Sequence, residues 1–135
     1  MTAGYSGTPL AKKLGIVPGS TLAVVHAPVG LAGWLDPLPD DVTIVEKIST
    51  GAAVTLAFVT ERAHLARAWP KLTKAAGPTG MIWVCWPKKA SKVPTDITED
   101  VVRAVVLPTG WVDVKVCAVS DVWSGLKIVL RKELR

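Results

Sequence analysis

A chain of 135 residues that is half hydrophobic and one-fifth charged is too apolar to be disordered and has the material for one well-filled core. Sixteen basic residues set against eleven acidic ones give a net charge of +5 with no long basic block, a balance that singles out no acidic partner. No apolar run approaches the roughly 20 residues of a membrane helix, and the start MTAGYSGTPLAKK lacks a charged head followed by an apolar block, so one soluble, cytoplasmic domain over 1–135 is expected.

In chain order, Thr8 predicts a helix cap, Pro9 the first helical position and Gly15 the stop. TLAVVHA, residues 21–27, reads as a central strand, and Pro28, Gly30, Gly33, Pro37 and Pro39 then predict an irregular crossover with at most a helical turn at 31–35. Residues 42–48 mix apolar and polar side chains like a peripheral strand, while 52–59 form another apolar run. The link at 49–51 is too short for an ordinary parallel crossover, so these two strands either form a hairpin or are separated by another strand with a tight return.

Thr60 predicts a cap for a helix whose apolar positions are Leu65, Ala68, Trp69, Leu72 and Ala76, with a kink or restart at Pro70 and an end at Gly77 and Pro78. Next comes GMIWVCWPKKAS, residues 80–91, whose apolar run stops at Pro87 and the lysines 88, 89 and 92. A strand apolar on both faces belongs inside a mostly parallel sheet covered by helices, and such sheets bind ligands beyond their carboxyl ends. Asp96 with Glu99 three places later predicts the cap of a further helix with Ile97, Val101, Val102 and Val105 on its apolar face. WVDVKVCAV and WSGLKIVLRK alternate as an antiparallel hairpin does. The order of elements predicts a compact three-layer Rossmann-like α/β domain, mostly parallel and ending in an antiparallel hairpin.

The WPKKASK loop leads into a helix N-terminus, where partial positive charge favours an anion by about 0.3–1 kcal/mol. Trp86, Lys88, Lys89, Ser91 and Lys92, with His26 at a neighbouring strand end, are the candidate ligand-binding residues; a solvated basic turn is the alternative. Asp96, Glu99 and Asp100 are expected to compete with an anion for the same field. Where a cofactor-binding glycine loop would follow the first strand, HAPVGLAG keeps Gly30 and Gly33 but has no GxG turn, and Glu46 stands near the place of the expected acidic residue.

No sequence motif joins a nucleophile to His26 or His64, so no catalytic residue is assigned, and His64 is expected at the surface or its boundary. Cys85 and Cys117 lack CxxC spacing and are expected as buried free thiols with no metal site. Of the six tryptophans, Trp69, Trp83 and Trp111 are expected in the core. Trp34, Trp86 and Trp123 lie beside loops, where they fit stacking on a flat ligand, anchoring of a partner, or sealing of the sandwich. Trp123, Lys127, Arg131 and Lys132 permit nucleic-acid contact, but no named nucleic-acid motif accompanies them.

YSGTPLAKKLG at 5–15, WPKKAS at 86–91 and the ending 112–135 with WSGLK together resemble a family of small bacterial proteins called domain of unknown function 3052. The likeness covers nearly the whole chain and implies no activity. The chain also resembles the core of class I methyltransferases, with a helix and LGIVPG before the first strand and a hairpin at the end; it departs from that pattern at the glycine loop and in its short second half. The expectation is a non-catalytic or regulatory domain that binds a small anionic ligand or a protein partner near Trp86, Lys88 and Lys89. The alternatives are an enzyme using S-adenosylmethionine or another nucleotide-like cofactor near 26–33, and a structural homo-oligomer associating through the hairpin edge.

Overall fold

A computed structural model describes residues 8–135, so residues 5–7 of the YSGTPLAKKLG segment lie outside the described residues. The elements are α1 (Leu10–Lys13), β1 (Thr21–Val25), α2 (Leu31–Leu35), β2 (Thr43–Val45), β3 (Val54–Phe58), α3 (Arg62–Ala76), β4 (Met81–Pro87), α4 (Glu99–Val106), β5 (Trp111–Ala118) and β6 (Trp123–Leu130). One six-stranded sheet has the order β2-β1-β3-β4-β6-β5. Its first four strands are parallel, and β6 then pairs antiparallel with both β4 and β5. This is a Rossmann-like sheet with a terminal hairpin.

The alternation of side chains along β4 explains why its sequence is apolar throughout. Ile82, Val84 and Trp86 enter the core shared with α3 and α4, while Trp83 and Cys85 enter the core shared with α1 and α2. Each large side chain so buried stabilises the fold by roughly 1.5–3 kcal/mol. Trp83 has no exposed surface, and its indole N–H donates to the Leu14 carbonyl at 2.9 Å, tying the opening helix to the middle of the sheet. Gly125 of β6 lies between Cys85 and Cys117 on one rung of the sheet, and a Cβ there would come within 3.2 Å of the Trp83 ring. Both thiols are free; Cys85 is buried, and Cys117 is only half-buried.

The short link at 49–51 takes the second of its two expected forms, because β1 lies between β2 and β3. The return needs no helix. Gly51 N–H donates to the Ala75 carbonyl, and Ile48 packs on the α3/α4 core, so the loop itself covers part of that face.

Three helix starts differ from the sequence expectation. Pro9 precedes α1 as its cap position instead of opening the helix, and Glu61 rather than Thr60 precedes α3. Asp96 is not the cap of α4: its Oδ1 accepts the Arg62 N–H at 2.7 Å, satisfying the first turn of α3 from across the fold. Thr98 caps α4 instead, its hydroxyl accepting the Val101 N–H at 3.2 Å. Pro70 sits inside a continuous α3 without ending it. The core tryptophans are as expected, with Trp69, Trp83 and Trp111 all buried.

Candidate functional site

β1 and β3 are neighbours, but the chain leaves β1 toward one edge of the sheet and β3 toward the other. Open α/β sheets hold ligands outside the carboxyl ends of their strands at such a reversal. Two hollows line that edge.

The first lies over β1 and β2. It encloses about 290 Å³ between Val24, the loop from Ala27 to Gly30, Leu31 and Leu35 of α2, and Ile44 and Glu46 at the end of β2. Gly30 has φ 96°, which only glycine adopts readily, and a Cβ there would lie 3.3 Å from the Trp34 ring. The loop therefore turns tightly into α2 and leaves main chain on the wall. Val29 is 99% exposed and Ile44 42%, so apolar surface faces the opening uncovered. Glu46 is exposed, and its carboxylate has no ion pair or hydrogen-bond partner among the described residues.

His26 follows β1 directly with φ 55°, a left-handed conformation that costs a non-glycine residue about 1–2 kcal/mol. Its ring meets that of His64, in the first turns of α3, with centroids 4.9 Å apart and planes at 70°. The two histidines are far apart in sequence but come together because β1 and β3 are adjacent. His64 is half-buried, at the boundary where it is expected, but its meeting with His26 has no signal in the sequence beyond each histidine following a central strand. No cluster of three or more potential metal ligands occurs among the described residues.

The second hollow, of about 580 Å³, lies over the end of β4. It is lined by Trp86, Pro87, Lys88, Lys89 and Lys92, by Val93 to Thr95 and Ile97 to Glu99, and by Ser124 of β6. Trp86 is only 7% exposed and belongs mainly to the core, so it forms a wall rather than a free stacking surface. Ser91 stands outside the lining and shapes the loop: its hydroxyl donates to the Lys88 carbonyl at 2.6 Å and accepts the Val93 N–H at 3.3 Å. Lys88 N–H donates to the Val122 carbonyl, fastening the loop to the hairpin. His26 is not part of this lining.

Of the acids expected to compete for the field at the start of α4, Glu99 and Asp100 do occupy its first turn. Asp96 is engaged at α3, while Glu99 and Asp100 both pair with Arg103, which also bonds Asp113 at 3.0 Å. Lys88, Lys89 and Lys92 have no ion-pair partner among the described residues. Of the other loop tryptophans, Trp34 packs over Gly30, and Trp123 meets Phe58 edge to face at 5.1 Å.

Neither a family model nor a curated protein sequence matches the chain, so the resemblance to domain of unknown function 3052 rests on its three segments alone. Solved structures do match. An O-methyltransferase of neocarzinostatin biosynthesis, in complex with S-adenosylmethionine and 2-hydroxy-5-methyl naphthoic acid, superposes with a TM-score of 0.63 at 12% identity. That match covers 84% of this chain and 49% of the other, so the chain spans about half the length of this relative. A SAM-dependent methyltransferase from Aquifex aeolicus gives 0.60 at 14% identity, over 87% of this chain and 85% of that one. Magnesium protoporphyrin IX methyltransferase from Synechocystis, with bound SAH, gives 0.59 at 9% identity, over 84% and 75%. The likeness is one of fold. It places the chain's architecture with SAM-dependent methyltransferases while leaving its chemistry to the residues themselves.

Proposed function

We propose that this chain binds S-adenosylmethionine, or a close nucleoside relative, in the hollow over β1 and β2, and that it acts as a small methyltransferase. The observation that carries the reading is the pairing of Gly30 with Glu46 across an apolar crevice at the carboxyl ends of two parallel strands. A volume of about 290 Å³ is at the lower end of the roughly 300–1,000 Å³ of ligand pockets, room for a nucleoside with its remainder outside.

The residues present fit such a ligand. Val24 and Ile44 offer apolar contact to a base, and the unpaired Glu46 carboxylate can accept hydrogen bonds from a ribose diol, as an acid beyond the first crossover does in dinucleotide folds. The bend at Gly30 keeps a side chain from filling the approach. When bound, S-adenosylmethionine supplies an electrophilic methyl group. His26, one residue before the lining loop begins at Ala27, meets His64 at the strand reversal; neither lines the hollow, and in this proposal His26 is the general base at its margin.

The fold relatives support this reading over a purely non-catalytic domain, since several were solved with S-adenosylmethionine or SAH. Thermal denaturation with S-adenosylmethionine and S-adenosylhomocysteine tests it. Ligand at 100 times its dissociation constant stabilises a fold by about 2.7 kcal/mol, and Glu46→Ala is expected to weaken binding about tenfold, a loss of about 1.4 kcal/mol. If neither nucleoside at millimolar concentration moves the midpoint of the intact chain, the proposal fails.

A further inference from the structure

The hollow over β4 differs from the cofactor crevice in every respect that decides what it takes. It has twice the volume, Trp86, Val93 and Ile97 contribute apolar surface, and Lys88, Lys89 and Lys92 stand around it without ion-pair partners among the described residues. Of the neighbouring acids, Asp96 binds the Arg62 amide, and Glu99, which itself lines the hollow, pairs with Arg103 as Asp100 does. Three lysines against one Arg-paired carboxylate in the lining leave a net positive potential that a bound anion relieves. The loop that presents them is fastened to the hairpin by Lys88 N–H to Val122 and closed on itself by the Ser91 hydroxyl to the Lys88 carbonyl, and Lys92 adopts φ 61° at its bend. The lysines are thus carried on an ordered segment.

We infer that this hollow takes an organic anion, a carboxylate or phosphate ester whose charged end meets Lys88, Lys89 and Lys92 and whose apolar body lies against Trp86 and Val93. The anion site does not rest on the cofactor reading above. The two hollows are lined from opposite faces of the sheet, Val24, Leu31 and Leu35 belonging to the core shared with α1 and α2, and Trp86 and Ile97 to the core shared with α3 and α4.

Amide NMR titration of the intact chain with phenyl phosphate, inorganic phosphate and benzyl alcohol tests the inference without any cofactor. Phenyl phosphate is expected to give saturable shifts at residues 86–98 and at Ser124, while benzyl alcohol leaves them in place. Lys88→Ala combined with Lys89→Ala should weaken binding about tenfold, from two lost charge contacts. The site is overturned if phenyl phosphate moves none of these amides at 10 mM, or if the double variant binds as tightly as the parent. It is also overturned if inorganic phosphate binds as tightly as phenyl phosphate, since the apolar wall would then contribute nothing. Glu46→Ala in the same titration should change nothing. Separate addition of S-adenosylhomocysteine, read at residues 27–31 and 44–46, distinguishes a failed cofactor crevice from a failed anion site.

Discussion

The two hollows share one edge of one sheet, yet the chain furnishes them in opposite ways. Over β1 and β2 the wall is main chain and aliphatic surface with a single unpaired carboxylate; over β4 it holds a buried indole, three unpaired lysines and Glu99, whose carboxylate pairs with Arg103. The backbone geometry of parallel strands supplies the place in both cases, and the residues just beyond each strand decide the chemistry. On the two proposals above, a diol-bearing nucleoside suits the first and an anion the second.

The most drastic way to break the comparison is to remove packing from the middle of the sheet that carries both hollows. Trp83→Ala deletes a fully buried side chain and its bond to Leu14, and should cost about 3–5 kcal/mol in a urea unfolding curve. A loss below about 1 kcal/mol would mean that β4 is not the organising strand.

The same core carries a pH signature. Burial pushes the Cys85 thiol well above its ordinary value of 9.0, with Cys117 adding to the shift, so the folded state keeps a proton that the unfolded state gives up. Stability is therefore full below about pH 9 and should fall as pH rises further, by about 1.4 kcal/mol per unit for this thiol. The slope should flatten in Cys85→Ala, measured by urea denaturation between pH 8 and 10.5. An unchanged slope would contradict the buried placement.

Asp96→Ala separates the two roles this residue had between sequence and structure. As a cap for α3 its loss should cost about 1 kcal/mol and leave phenyl phosphate affinity within about twofold. A large gain in anion affinity would restore the competition that the sequence suggested.

The smallest effect expected is at the strand reversal. His26→Gly removes a side chain from a left-handed position and should leave stability unchanged or raise it by up to about 1 kcal/mol, while lowering any methyl-transfer rate. A clear destabilisation would show the His26–His64 contact to be structural.

Much of this architecture was legible in the residues. MIWVCW announced a strand covered on both faces because both of its alternating sets, Ile82–Val84–Trp86 and Trp83–Cys85, are apolar, and the hairpin showed through its alternation. What local pattern could not show was where polar groups find distant partners. Asp96 and Glu99 have the spacing of a capping box, but Asp96 lies within reach of the Arg62 amide only after α3 and α4 have packed. Glu99 and Asp100 occupy the first turn of α4 as their spacing predicts, and Arg103, on the next turn, pairs with both. Ser91 read as a ligand contact because it belongs to a basic loop, whereas its hydroxyl is used in folding that loop. His64 was passed over because its neighbour His26 is a product of topology, of β1 and β3 being side by side.

The central claim is that the edge divides its ligands, with a nucleoside over β1 and β2. Its most direct test is an amide NMR titration of the intact chain with S-adenosylhomocysteine, repeated for Glu46→Ala. Saturable shifts confined to residues 24–31 and 44–46, with affinity about tenfold weaker in the variant, are the predicted result. Shifts that instead centre on residues 86–98, or an affinity indifferent to Glu46, would contradict it.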